Sequence, residues 1–212
     1  MKKTSIYIFL ALLASLPIAA QDLTSVFLNI PDSLLIGLSA EGKDALIKNP
    51  ADTAKVSTLS VFGGEVARNA ISEDYLSLQT SPAGTLQIKL LPLVNDSKIV
   101  CMVKTVCGKA CDSQVEFYST AWEPLTDVSL FPVPHADWFV KTDANRNTED
   151  FYNAFVAVDM LPYKIDLSPD KAEALVTLDL ENYLSEEDFK KIKPYLNETP
   201  KTLTWDKVSF KE

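Results

Sequence analysis

Histidine and cysteine are scarce in this chain. It has one histidine, His135, and three cysteines, Cys101, Cys107 and Cys111. A structural zinc site needs about four ligands, so all four of these side chains would have to converge. Cys101 and Cys107 fall six residues apart on one expected strand, ~20 Å at ~3.3 Å per residue, and that separation excludes the set. Also missing are a phosphate-cradling glycine loop, a dinucleotide fingerprint and a metal-protease motif. No Gly-x-Ser-x-Gly nucleophile elbow is present either. No cofactor is implied. Positive charge is in deficit, with 20 Lys and Arg against 29 Asp and Glu, a net charge of −9. Phosphate contacts need Lys and Arg, so nucleic acid is a poor partner, and anionic membrane surfaces are disfavoured for the same reason.

The first twenty residues read as a secretory signal peptide. Lys2 and Lys3 form a positive start, Ile6 to Leu16 an apolar run too short to span a bilayer, and Pro17 to Ala20 a cleavage region. Cleavage after Ala20 removes two of the 20 basic residues, leaving 18 against 29 acidic ones and a net charge of −11. No cysteine follows the cut to carry a lipid, and no later segment is long and apolar enough to insert in a membrane. The expectation is a periplasmic or secreted protein whose residues 21–212 form one α+β domain.

Within that domain, Asp22 to Asn49 has helical spacing, with Val26, Phe27 and Ile30 on a face that Leu34, Leu35 and Leu38 continue. Pro31 divides it into two short helices. From Val56 the period changes to two, and Gly63-Gly64 makes a turn. Tyr75 to Thr80 and Thr85 to Leu90 read as a hairpin around Ser81-Pro-Ala-Gly84. Lys98 to Val106 and Ser113 to Ser119 form a second hairpin, with Cys-Gly-Lys-Ala-Cys at its tip. Ile99, Cys101 and Val103 share one face and Val100 and Met102 the other, the mark of a central strand covered on both sides. Phe131 to Lys141 is loop-like. Thr148 caps a helix led by Glu149 and Asp150. Tyr163 to Leu167 and Ala174 to Leu180 form a third hairpin, Ser185 caps an amphipathic helix, and Thr202 to Phe210 is a last strand. Strand, Ser-Pro turn, strand and a later tryptophan recur in about 72–125 and 160–212, as an old duplication would leave them. The fold class is α+β, mostly antiparallel hairpins, with a helical N-terminal segment and one C-terminal amphipathic helix.

Several of these stretches resemble the domain-of-unknown-function 3256 family of exported bacterial proteins. They are Pro31-Asp-Ser-Leu-Leu, Asp74-Tyr-Leu-Ser-Leu, Leu86-Gln-Ile-Lys-Leu-Leu-Pro92, Val115-Glu-Phe-Tyr with Trp122, and Tyr183-Leu-Ser-Glu-Glu with Trp205. The resemblance spans nearly the whole chain after residue 20. It implies export and a single domain, and it brings no activity and no catalytic residues. Cys107 and Cys111 stand outside its pattern.

Four sets of residues carry candidate chemistry. Cys107 and Cys111 are spaced Cys-x-x-x-Cys at a hairpin tip, unlike the Cys-x-x-Cys at a helix start that makes a redox thiol. Across a three-residue loop they can form a disulfide, which export permits; two free thiols are the alternative. His135 and Asp137 form a His–Asp pair able to activate a nucleophile. Asp143, Asn145, Asn147 and Glu149 alternate as calcium ligands do, without the glycine and the final bidentate glutamate of that loop. Asp52-Thr-Ala places Thr53 in an exposed loop as a candidate O-glycosylation site. These features point to a non-enzymatic binding or assembly module in the periplasm or at the cell surface, with a protein or glycan partner. The alternatives are a hydrolase-like enzyme using His135 and Asp137, or a small-ligand carrier.

Overall fold

Two short helices open the structure, a computed structural model that describes residues 22–49, 56–126, 129–197 and 199–212. The expected signal peptide and Thr53 lie outside the described residues. Asp22 accepts a hydrogen bond from the Ser25 N–H and starts α1 (Leu23–Leu28). Pro31 lies in the break between helices, but the expected helical run through Leu34, Leu35 and Leu38 is a series of turns, and the second helix begins only where Ser39 caps α2 (Ala40–Ile47) through the Gly42 N–H. The last carbonyls of α2 point away from any further turn and need donors. Arg68 supplies them, its guanidinium reaching the carbonyls of Leu46, Lys48 and Asn49. The positive charge also suits the negative end of the helix.

Next comes a six-stranded antiparallel meander: β1 (Val56–Leu59), β2 (Glu65–Ile71), β3 (Tyr75–Gln79), β4 (Gly84–Pro92), β5 (Lys98–Cys107) and β6 (Cys111–Ser119), each beside the next. The two expected hairpins form here. β2 is a strand that periodicity does not reveal, because Arg68 occupies a buried position and the register shifts between Arg68 and Ala70. The centre of the sheet is apolar on both faces. Leu86, Ile88, Leu90, Val100 and Met102 pack on Leu23, Val26, Phe27 and Leu46 from the helices. Leu91, Ile99, Cys101 and Val103 pack the other way, on a second sheet.

That second sheet contains β7 (Tyr163–Leu167), β8 (Glu173–Leu178), β9 (Lys201–Trp205) and β10 (Phe210–Lys211), in spatial order β10-β9-β8-β7. The expected single strand Thr202 to Phe210 is two strands. The Asp206 carboxylate accepts from the N–H groups of Val208 and Ser209, and Lys207 turns with φ +72°. The expected strand Ala174 to Leu180 stops at Leu178, where the chain enters α4 (Leu180–Tyr183). Thr148 and Ser185 cap α3 (Glu149–Phe155) and α5 (Glu186–Ile192), each accepting from the N–H three residues on. These helices bury Ala154, Leu180, Leu184, Ile192 and Leu196 in a smaller cluster that meets the second sheet at Leu178.

β7 is an edge strand laid on the face of the first sheet, so its outward backbone groups are buried. Side chains satisfy them. The Ile165 N–H donates to Ser113 Oγ at 2.9 Å. Gln87 does more: its Nε2 donates to the Ile165 carbonyl at 3.1 Å, and its Oε1 accepts from the Leu167 N–H at 2.8 Å. Tyr75 donates to the same Oε1. Further staples tie the sheets: Lys89, buried, donates to Asp74 and to the Pro169 carbonyl, and the Trp205 indole donates to the Pro92 carbonyl.

Gln87→Leu removes one donor and one acceptor that buried backbone has no other way to replace. Each orphaned group costs about 1–3 kcal/mol, so urea unfolding should show a loss of about 2–6 kcal/mol. A variant as stable as the parent would show that the β7 edge finds other partners.

Candidate functional site

The cysteine pair closes the β5–β6 hairpin. Cys107 and Cys111 are the last residue pair of that ladder, with Cα atoms 4.0 Å apart, a pair positioned to form a disulfide. The tip is held on two sides. The Cys107 N–H donates to the Ala83 carbonyl in the neighbouring turn, and the Cys111 N–H donates to Asp179 Oδ2 at 2.7 Å. Cys101 lies further down β5, fully buried opposite Phe117, and burial pushes its thiol pKa up. It contributes packing, with the thiol held neutral.

His135 stands at the N-cap of a single 3-10 turn, Ala136–Trp138, and Asp137 lies within it. Nδ1 of His135 stands 4.0 Å from Asp137 Oδ2, and both side chains are more than half exposed. The imidazole leans on the Trp138 ring, centroids 5.0 Å apart. Asp137 is also paired with Arg146. The Trp138 indole donates to Glu212, whose carboxyl is held below the usual range by hydrogen bonds from Lys201 and Trp138. Among the described residues no Ser, Thr or Cys side chain hydrogen-bonds His135. The arrangement is a surface network of charges around an indole.

The calcium candidates lie in the loop before α3. Asn145 Oδ1 accepts from the Asn147 N–H, and the Asn145 carbonyl accepts from Thr148 Oγ1. The loop thus folds on itself to present Thr148 as the cap of α3. Among the described residues no three His, Cys, Asp or Glu side chains come together as a metal site.

One concavity has no sequence motif. It is an open-sided groove of about 490 Å³ where β8 outruns β9. The β8–β9 ladder begins at the Val176–Lys201 pair. Alternate residues of β8 face alternate neighbours: Ala172 accepts from Trp205 on the β9 side, whereas Glu173 accepts from Ser168 and Asp179 donates to Pro162 on the β7 side. Leu178 therefore turns its N–H and C=O to the β9 side, past the point where β9 has left. Neither group has a hydrogen bond there among the described residues. Pro200 directly precedes Lys201, the first paired residue of β9, so the ladder stops short of Leu178. Phe139, Leu180, Phe189 and Leu196 give the groove apolar walls, and Asp179, Glu181 and Lys193 line it with charge of both signs. The one hint in the sequence is Thr199-Pro200 ahead of an alternating run.

Comparison with curated proteins finds no significant match. Among solved structures, the chain is similar to a domain of an uncharacterized protein from Porphyromonas gingivalis W83, with 24% identity over 88% of this chain and 96% of that one and a TM-score of 0.78. At that identity the likeness is one of fold: the α+β architecture is shared. The sequence pattern of the family described as protein of unknown function DUF3256 matches residues 15–210, and the chain belongs to that family.

Proposed function

We propose that this is an exported, non-enzymatic binding module that takes an extended polypeptide segment of a partner into the groove between β8 and β9. The observation that carries this reading is the open backbone of Leu178. A strand end that offers one N–H and one C=O beside apolar walls suits an extended chain, which supplies the complementary pair by strand addition. Phe139, Phe189 and Leu196 would take its side chains, and Asp179, Glu181 and Lys193 would select its charges. The open side of the groove favours a polypeptide over an engulfed small molecule. Among the described residues no nucleophile is hydrogen-bonded to the surface pair of His135 and Asp137, which supports binding over hydrolysis.

Export rests on the N-terminal segment and on the cysteine pair, since a disulfide persists in oxidising compartments. No helix among the described residues is long and apolar enough to cross a membrane. The acidic balance speaks against nucleic acid as the partner.

Thr177 is exposed and lines the groove, so Thr177→Trp fills it without disturbing the core. Peptides selected from a random displayed library on the native protein should bind the variant about tenfold more weakly. Equal binding, or no selected peptide at all, would overturn the groove as the site.

Thiol titration tests the clip. Native protein recovered from an oxidising compartment should show no reactive thiol, unfolding without reductant should reveal Cys101 alone, and reductant should reveal Cys107 and Cys111 as well. Three thiols before reduction would remove the disulfide.

A further inference from the structure

Among the described residues two sheets have four edge strands, and three of these edges carry named contacts. The β6 edge is crossed by the following loop, where Leu125 donates to Phe117 and Ser119 donates to Glu123, while Asp179 takes the Cys111 N–H. The β7 edge is closed by Gln87 and Ser113. At β10 the Phe210 N–H donates to the Leu130 carbonyl. β1 is treated differently. Its Ser60 N–H donates inward to the Gly64 carbonyl of the hairpin, so Ser57, Leu59 and Val61 point their backbone groups outward. Val61 is bonded to the Gly37 carbonyl. Ser57 and Leu59 have no outward partner among the described residues.

Proteins ordinarily guard such an edge with lysine, proline, an inward charge or a bulge. Residues 56–64, Val-Ser-Thr-Leu-Ser-Val-Phe-Gly-Gly, contain none of these and no charge at all. Leu59, Val61 and Phe62 are instead 69%, 70% and 76% exposed, with Ile36 beside them at 71%. Phe62 is held in place. Gly37 has φ +81°, and a Cβ there would sit 2.6 Å from the Phe62 ring, so only glycine admits this contact.

We propose that β1 is a self-association edge, pairing antiparallel with β1 of a second copy of this chain about a two-fold axis at Thr58. In that register Ser57 of each copy faces Leu59 of the other. Each pair exchanges two N–H to C=O bonds, and every open group on both edges is used. The next outward residue, Val61, already gives its N–H to Gly37, which ends the ladder there. The edge itself selects the second copy as occupant, because the open N–H and C=O groups of Ser57 and Leu59 are self-complementary about that axis. A chain of net charge −9 repels its own copies over most of its surface, and like charges placed opposite each other destabilise a strand pair. The charge-free stretch 56–64 lets two copies meet without like charges facing each other across the pair. The Leu59 side chains lie on the face of β1 opposite Val56, which packs into the helix-side core, so pairing covers them.

Sedimentation equilibrium of the purified protein up to about 100 μM tests this. The parent should reach a concentration-dependent dimer. Ser57→Pro removes only the outward N–H, and Leu59→Lys installs the missing edge guard; each should weaken dimerisation at least about tenfold. Val133→Lys, equally exposed but on the loop near β6, should leave it unchanged. Circular dichroism melts confirm that each variant is folded. A parent that stays monomeric over this range, or Ser57→Pro and Leu59→Lys proteins that both dimerise like the parent, would overturn the proposal.

Discussion

A side-chain amide standing in for a β-strand is the contact on which the two-sheet arrangement depends. When an edge strand is laid against the face of another sheet, its outward N–H and C=O groups lose water, and burying them unpaired is costly. Gln87 presents one donor and one acceptor with the spacing of a peptide group, and it takes both Ile165 and Leu167. Ser113 takes the remaining Ile165 N–H and is itself hydrogen-bonded to Thr105. These bonds are directional where apolar packing is not. They fix the position of β7 along β4 and β6, and Lys89 and Trp205 repeat the constraint at Pro169 and Pro92.

With β7 placed, the rest of the second sheet follows by ladder pairing, and so do its irregularities. β8 extends along β7 as far as Tyr163, whereas β9 starts at Lys201, two residues short of a partner for Leu178. The mismatch opens the groove at Leu178. Asp179, next in the chain, reaches back to the Cys111 N–H of the first sheet. The cysteine-bearing tip is thereby joined to the rim of the groove, and a disulfide there would hold both hairpin strands in register against it.

Much of the fold was legible because its signals are local. Caps at Thr148 and Ser185, the helix break at Pro31, and two hairpins follow from residues within a few positions of one another. The two-faced apolar pattern of Ile99 to Val103 told that β5 is covered on both sides. β2 escaped because Arg68 interrupts its pattern, and its reason for being buried lies at the carbonyl end of α2. The division of the last strand escaped because it depends on Asp206 folding over its own loop.

Of the candidate site residues, His135 and Asp137 were placed near each other by sequence alone, and their spacing could say nothing of Arg146, Trp138 or Glu212 around them. The groove carries no motif, since its defining groups are a backbone N–H and C=O that every residue has. The sequence by itself determined the fold class, the acidic character and the hairpin that pairs Cys107 with Cys111, all set by period, composition and short-range turns. Only the tertiary structure decided which strand edges are sealed and which stay open. That outcome depends on side chains such as Gln87 meeting backbone nearly eighty residues away, a distance over which no local pattern carries information.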